Sequence, residues 1–136
     1  MIRRTIPLFC VMSLLMLVGS ALADPFEATK WKVKVVPDED SRSAGAKEFD
    51  EVLICKGSLF SAQTMEKNGF KPVQYEDDTR RFGPATFKAE PESEKEGKAK
   101  WTGLITATTI KGELVWTKKD GKVLTYAYTG ERDDSK

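Results

Sequence analysis

The sequence predicts an all-β fold, a small antiparallel up-and-down β-barrel of about eight strands, with a two-sheet β-sandwich as the alternative. Three observations lead there. After residue 30, no stretch sustains the three-to-four-residue apolar period of a helix. Short runs instead alternate apolar and polar residues with period two, as half-buried strands do. Clusters of Gly, Pro, Asn, Asp or charged residues separate these runs at near-regular spacing. An open sheet of this width leaves two exposed edges, and closing it into a barrel removes them.

The elements follow in order. Residues 24–29 read as an entry segment. Lys30 to Val36 form a first strand, with Trp31, Val33 and Val35 on one face, Lys32 and Lys34 on the other, and Pro37 ending it. Asp38 to Lys47 is a polar connection with room for one helical turn. Phe49 to Lys56 is a second strand, apolar on both faces from Val52 to Cys55. Gly57-Ser58 marks a tight turn, and Leu59 to Met65 returns as a third strand. Asn68-Gly69 is the strongest hairpin signal in the chain, because both residues tolerate positive φ. A fourth strand follows over Phe70 to Glu76, placed at an edge or bulge by Pro72. Asp77 to Gly83 reads as a charged loop.

The second half alternates more regularly. Ala85, Phe87 and Ala89 share one face of a fifth strand, and Glu92 to Gly97 reads as a solvated charged turn. Ala99, Trp101, Gly103 and Ile105 share a face of the sixth strand. Ile110, Gly112, Leu114 and Trp116 share a face of the seventh, across a turn near Ala107 to Thr109 that has neither Gly nor Pro. Asp120-Gly121 is another hairpin turn. The last strand, Val123 to Thr129, places Leu124, Tyr126 and Tyr128 on one face. Residues 131–136 read as a frayed tail. Gly103 and Gly112 lie mid-strand, where glycine marks a bend or a close approach.

Ahead of this pattern stands a different one. Met1 to Ala23 has two arginines (Arg3, Arg4), an apolar run, and Ala21-Leu22-Ala23 before Asp24-Pro25, the layout of a secretory signal peptide. Its apolar run, Ile6 to Val18, is shorter than the roughly 20 residues of a spanning helix, so cleavage after Ala23 is expected. Thr5-Ile6-Pro7 after the arginine pair fits a twin-arginine signal poorly, which favours ordinary secretion. The protein is then secreted, or periplasmic in a Gram-negative source, with no membrane insertion after cleavage. Residues 24–136 form a single domain with its core in 30–130. Two of the 22 basic and none of the 21 acidic residues leave with the signal, so the mature chain has a net charge of −1. That balance gives no reason to bind nucleic acid.

Composition excludes much chemistry. The chain has no histidine, so it lacks the commonest general base near neutral pH and the commonest transition-metal ligand. Of two cysteines, Cys10 lies in the signal, so Cys55 has no partner for an intramolecular disulfide. At the end of the run Val52-Leu53-Ile54, Cys55 reads as a small buried hydrophobe. No zinc site of ordinary composition and no glycine-rich phosphate loop is present. The acidic clusters Asp38-Glu39-Asp40, Glu76-Asp77-Asp78 and Glu92-Ser93-Glu94 lack the spacing of a calcium loop and read as solvated surface. No catalytic residue, metal or cofactor is expected, and the chain is not expected to be an enzyme.

The aromatic residues are the one candidate site. Trp31, Phe87, Trp101 and Trp116 fall on inward faces, where they are either plain core or the lining of an apolar pocket at one mouth. In the pocket reading Trp101 and Trp116 line it, and Tyr126 or Tyr128 offers a hydroxyl. Arg80-Arg81 is either an exposed loop pair, a closure for such a mouth or a site for an anionic ligand.

The tryptophan in Lys30-Trp31-Lys32-Val33 followed by a meander resembles the lipocalin and avidin-like (calycin) barrels. The stretch from Trp101-Thr102-Gly103 through Gly112-Glu113-Leu114-Val115-Trp116 to Tyr126-Ala127-Tyr128-Thr129-Gly130 is similar to small secreted bacterial proteins of lipocalin-like type. Thr29 stands where the lipocalin signature has glycine. The resemblance implies a non-catalytic protein that binds a small apolar or amphipathic ligand. The alternative is an interaction, envelope-associated or inhibitor domain that acts through its surface around a filled core.

Overall fold

The computed structural model describes residues 26–78 and 84–134. The signal sequence and Arg80-Arg81 lie outside them. Ten strands form one sheet: β1 (Thr29–Pro37), β2 (Phe49–Lys56), β3 (Leu59–Ala62), β4 (Val73–Gln74), β5 (Glu76–Asp78), β6 (Ala85–Ala89), β7 (Glu92–Ser93), β8 (Gly97–Ile105), β9 (Thr109–Thr117) and β10 (Val123–Arg132). Two short helices interrupt them, α1 (Glu39–Ser43) and α2 (Gln63–Lys67).

Every strand pair is antiparallel, and the order is β4-β3-β2-β1-β10-β9-β8-β6-β5, with β7 also on β8. The two ends of that order, β4 and β5, are separated in sequence by Tyr75 alone. The sheet therefore curls until its ends meet, and the molecule is a nearly closed all-β barrel. β4 pairs with β3 and β5 with β6, as two halves of one stave. β6 and β7 likewise lie in line along β8. Counted as staves, the ten strands number eight.

Side-chain alternation decides which face is inside. Trp31, Val33 and Val35 on β1 are buried, while Lys30, Lys32 and Lys34 are exposed. Phe87, Trp101, Leu114 and Tyr128 are buried by the same rule on β6, β8, β9 and β10. Cys55 is buried on β2, as expected of a small hydrophobe. Asp38 caps α1 by accepting from the Ser41 N–H at 2.8 Å, and the expected helical turn forms there; hydrogen bonding from the Ser41 side chain, and then from its backbone N–H, lowers the pKa of the Asp38 carboxyl.

The structure departs from the sequence reading between Ala62 and Glu76. The third strand ends at Ala62, and Gln63–Lys67 turn into α2. Ala62 has no side chain that can cap this helix, but Glu51 on the adjacent strand does. Its carboxylate accepts from the N–H groups of Thr64 (2.7 Å), Met65 (3.2 Å) and Val52 (2.9 Å). Asn68-Gly69 is thus a helix stop rather than a hairpin, with Gly69 at φ +96°. Phe70 then turns inward and is buried, leaving only β4 and β5 of the expected fourth strand.

Other boundaries also move. Glu76–Asp78 pair with Thr86–Lys88, so the expected charged loop begins later. Glu92 and Ser93 belong to the sheet, and the expected Glu92–Gly97 turn narrows to residues 94–96. Residues Glu131 and Arg132 continue β10 instead of fraying, and the Asp133 N–H donates to the Lys30 carbonyl at 2.7 Å. The entry segment is not peripheral either, since Phe26 is 0% exposed.

Candidate functional site

A row of four residues crosses the inner wall. Phe87 on β6 faces Gly103 on β8, Gly103 faces Gly112 on β9, and Gly112 faces Tyr128 on β10. Neither central position has room for a side chain: the Tyr128 and Phe87 rings fold over Gly103, and the β8 backbone and the Tyr128 hydroxyl crowd Gly112. A Cβ on Gly103 would lie 2.3 Å from the Tyr128 oxygen and 2.4 Å from a Phe87 ring carbon. The Tyr128 hydroxyl donates to the Thr102 carbonyl at 2.8 Å. Burial, together with the neighbouring Cys55, raises the Tyr128 pKa well above the ordinary phenol range.

From this row a chain of rings runs through the interior. Phe26 packs on Phe87 with centroids 5.2 Å apart, Phe87 on Phe60 at 5.6 Å, Phe60 on Trp101 at 5.7 Å and Trp101 on Tyr128 at 5.3 Å. All five are at most 4% exposed. Such contacts are the usual spacing of aromatic pairs and add to the burial of each ring. Trp31 is buried beside them, its indole N–H donating to Thr29 Oγ1 at 2.9 Å. Trp101 differs: its indole nitrogen is fully buried and has no acceptor among the described residues.

The six aromatic residues singled out from sequence therefore divide. Trp31, Phe87, Trp101 and Tyr128 are core. Tyr126 is buried too, against Phe49 at 5.8 Å, and burial raises its pKa. Trp116 stands apart, half-buried near the end of β9. Its N–H donates to the Glu96 carbonyl at 2.7 Å, Phe70 meets its ring edge-on at 5.6 Å, and the Lys118 ammonium lies 4.4 Å above it. The interior also contains Phe26 and Phe60, which the pattern did not single out. The Gly57-Ser58 turn was the available signal for Phe60, since a two-residue hairpin there places it opposite Cys55.

Several concavities between described residues lie on the outside. One of them, an open groove of about 810 Å³, runs behind the Gly103–Gly112 pair. Thr86, Thr102, Leu104, Ala127 and Thr129 point outward into it, and Lys88, Lys111, Glu113 and Glu76 stand at its margins. Lys88 is held between Glu76 and Glu90, each at 3.8 Å. The groove thus combines a floor of small and β-branched side chains with charges of both signs. That suits a surface contact better than a small buried ligand.

Among the described residues, no group of three His, Cys, Asp or Glu side chains is placed to hold a metal ion. No helix there is long and apolar enough to cross a membrane. No protein-family model matches the chain, and no curated protein or solved structure matches it.

Proposed function

We propose that the mature chain is an exported, non-catalytic, lipocalin-like barrel that acts through its outer wall. The contact surface in this reading is the groove over Gly103 and Gly112. The observation that carries it is the chain of packed rings from Phe26 to Tyr128, which lies in the core, where a barrel of this size would otherwise hold a small ligand. The groove offers a wide floor and a mixed-charge rim, the pattern of a protein–protein contact. Export rests on the leader pattern of Met1 to Ala23.

A second reading, an interior ligand, has one observation in its favour. The Trp101 indole N–H is buried without an acceptor, an arrangement that costs stability and that a ligand oxygen would relieve. Titrating the mature protein with an amphipathic naphthalene sulfonate and with a long-chain fatty acid, while following tryptophan emission, separates the two. The surface reading predicts no saturable change. A saturable blue shift that Trp101→Phe abolishes would favour the interior ligand.

A further inference from the structure

We infer that the hollow between the α2–β4 connection and the β7–β8 hairpin is a binding site for a small phosphate-bearing anion, separate from the groove over Gly103 and Gly112. The hollow holds about 400 Å³, and Lys71, Lys95, Lys98 and Lys119 line it together with Glu92 and Glu94. Four ammonium groups against two carboxylates give it a local charge of +2, on a chain whose whole formal charge is +1. Lys98 pairs with Glu92 at 3.6 Å. Among the described residues, Lys71, Lys95 and Lys119 form no ion pair with a carboxylate. Cations gathered around a concavity focus their potential there and raise the local concentration of an anion.

The backbone that carries these lysines is braced before any ligand arrives, which lowers the cost of binding. Trp116 ties the two walls together: its ring meets Phe70, between Gly69 and Lys71, and its N–H donates to the Glu96 carbonyl, between Lys95 and Gly97. Buried Ser93 adds a second tie, its hydroxyl donating to the Asn68 carbonyl at 3.0 Å and accepting from the Glu96 N–H at 3.2 Å. A Cβ on Gly69 would lie 2.9 Å from Ser93 Oγ, so the walls approach as closely as glycine allows. The cations then select the ligand, because all four are lysines. Arginine's planar fork matches a planar carboxylate, whereas lysine is a compact point charge that meets a phosphate from any side. A phosphate monoester carries a charge of about −1.5 to −2 near neutral pH and three acceptor oxygens, enough to engage more than one ammonium. Each exposed lysine contributes little alone, so a singly charged anion such as a sulfonate gains too little to bind. A free phosphate ester and a phosphomonoester lipid headgroup present the same chemistry to these lysines.

The test has two arms. Glycerol phosphate is titrated into the isotope-labelled protein while backbone amide NMR shifts are followed, and vesicles of phosphatidic acid in phosphatidylcholine are assayed by co-sedimentation, with pure phosphatidylcholine as the blank. Saturable shifts are expected at residues 69–71, 92–98 and 119, with a Kd of about 1 mM that weakens roughly tenfold as sodium chloride rises from about 20 to about 200 mM. The double variant Lys71→Gln, Lys119→Gln should weaken binding about tenfold. Its control is Lys30→Gln, Lys100→Gln, which removes two exposed lysines outside the hollow and should change binding less than about twofold. All four positions are on the surface, so each variant keeps its core. Dependence on Lys71 and Lys119 in the glycerol phosphate arm alone assigns a free ester, and dependence in the vesicle arm assigns a lipid headgroup; both support the site. If in neither arm the Lys71, Lys119 variant binds more weakly than its control, the inference is overturned, and the groove over Gly103 and Gly112 stands or falls separately.

Discussion

The wall formed by β8, β9 and β10 and the seam formed by β3, α2, β4 and β5 are built on different terms. The wall strands are nine or ten residues long and paired to their neighbours along most of their length. The seam strands are two to four residues long and are joined by a helix, a buried phenylalanine and a single-residue break at Tyr75. The wall is held by a continuous ladder and a tight fit of rings over glycines. The seam is held by a few distant groups, chiefly the Glu51 carboxylate and Phe70. A barrel closed by such a seam has one cooperative region and one that local events can open.

Substitutions that distinguish the two regions should differ in reach as well as size. Gly112→Val has the largest expected effect. Its Cβ would fall 2.0 Å from the Thr102 carbonyl oxygen and 2.7 Å from the Tyr128 hydroxyl oxygen, so the wall must separate. Urea unfolding should show a loss of about 3 kcal/mol or more, or no folded protein. A well-folded Gly112→Val protein would mean that the ring-over-glycine fit does not hold the wall together.

Glu51→Ala should cost less, about 2 kcal/mol, because the buried Met65 N–H and the part-buried Thr64 and Val52 N–H groups lose their acceptor. The effect should be confined to the seam: hydrogen exchange should quicken at residues 63–67 while β9 and β10 keep their protection. Uniform loss of protection would join seam and wall into one unit.

These contrasts also explain what the sequence made legible. The eight staves and the inward faces of the long strands are local alternation, so Trp31, Phe87, Trp101 and Tyr128 were placed correctly. α2 was not legible, because its cap comes from Glu51 on another strand and only the tertiary fold brings it near. Asn68-Gly69 was ambiguous for a physical reason: a helix stop and a hairpin turn both use positive φ. Phe26 and Phe70 sit outside any alternating run, so nothing in their neighbours announces that they enter the core. The glycine pair was legible as a bend, but its partnership with Phe87 and Tyr128 needed the register. The outer groove is a property of backbone curvature and left no local signature.

Smaller effects bear on the wall alone. Tyr128→Phe removes the hydroxyl that donates to Thr102 and should cost about 1 kcal/mol in a thermal or urea melt. Alkaline titration probes the same group. Folding raises the pKa of Tyr128, and that of Tyr126 to a lesser degree, so their contribution is fully present below the unfolded value of about 10. It is lost as the pH rises from there toward the folded value. Stability measured from pH 8 to 11.5 should therefore fall above about pH 10, and Tyr128→Phe should flatten that fall. A variant with an unchanged alkaline slope would place the titrating group elsewhere.

The barrel interior is packed with the protein's own rings, and the proposed function lies outside it. Native mass spectrometry of the protein isolated from its own source tests this most directly. A single species at the bare polypeptide mass, unchanged by organic extraction, is expected. A stoichiometric added mass that extraction removes, and whose loss alters tryptophan emission, would contradict it.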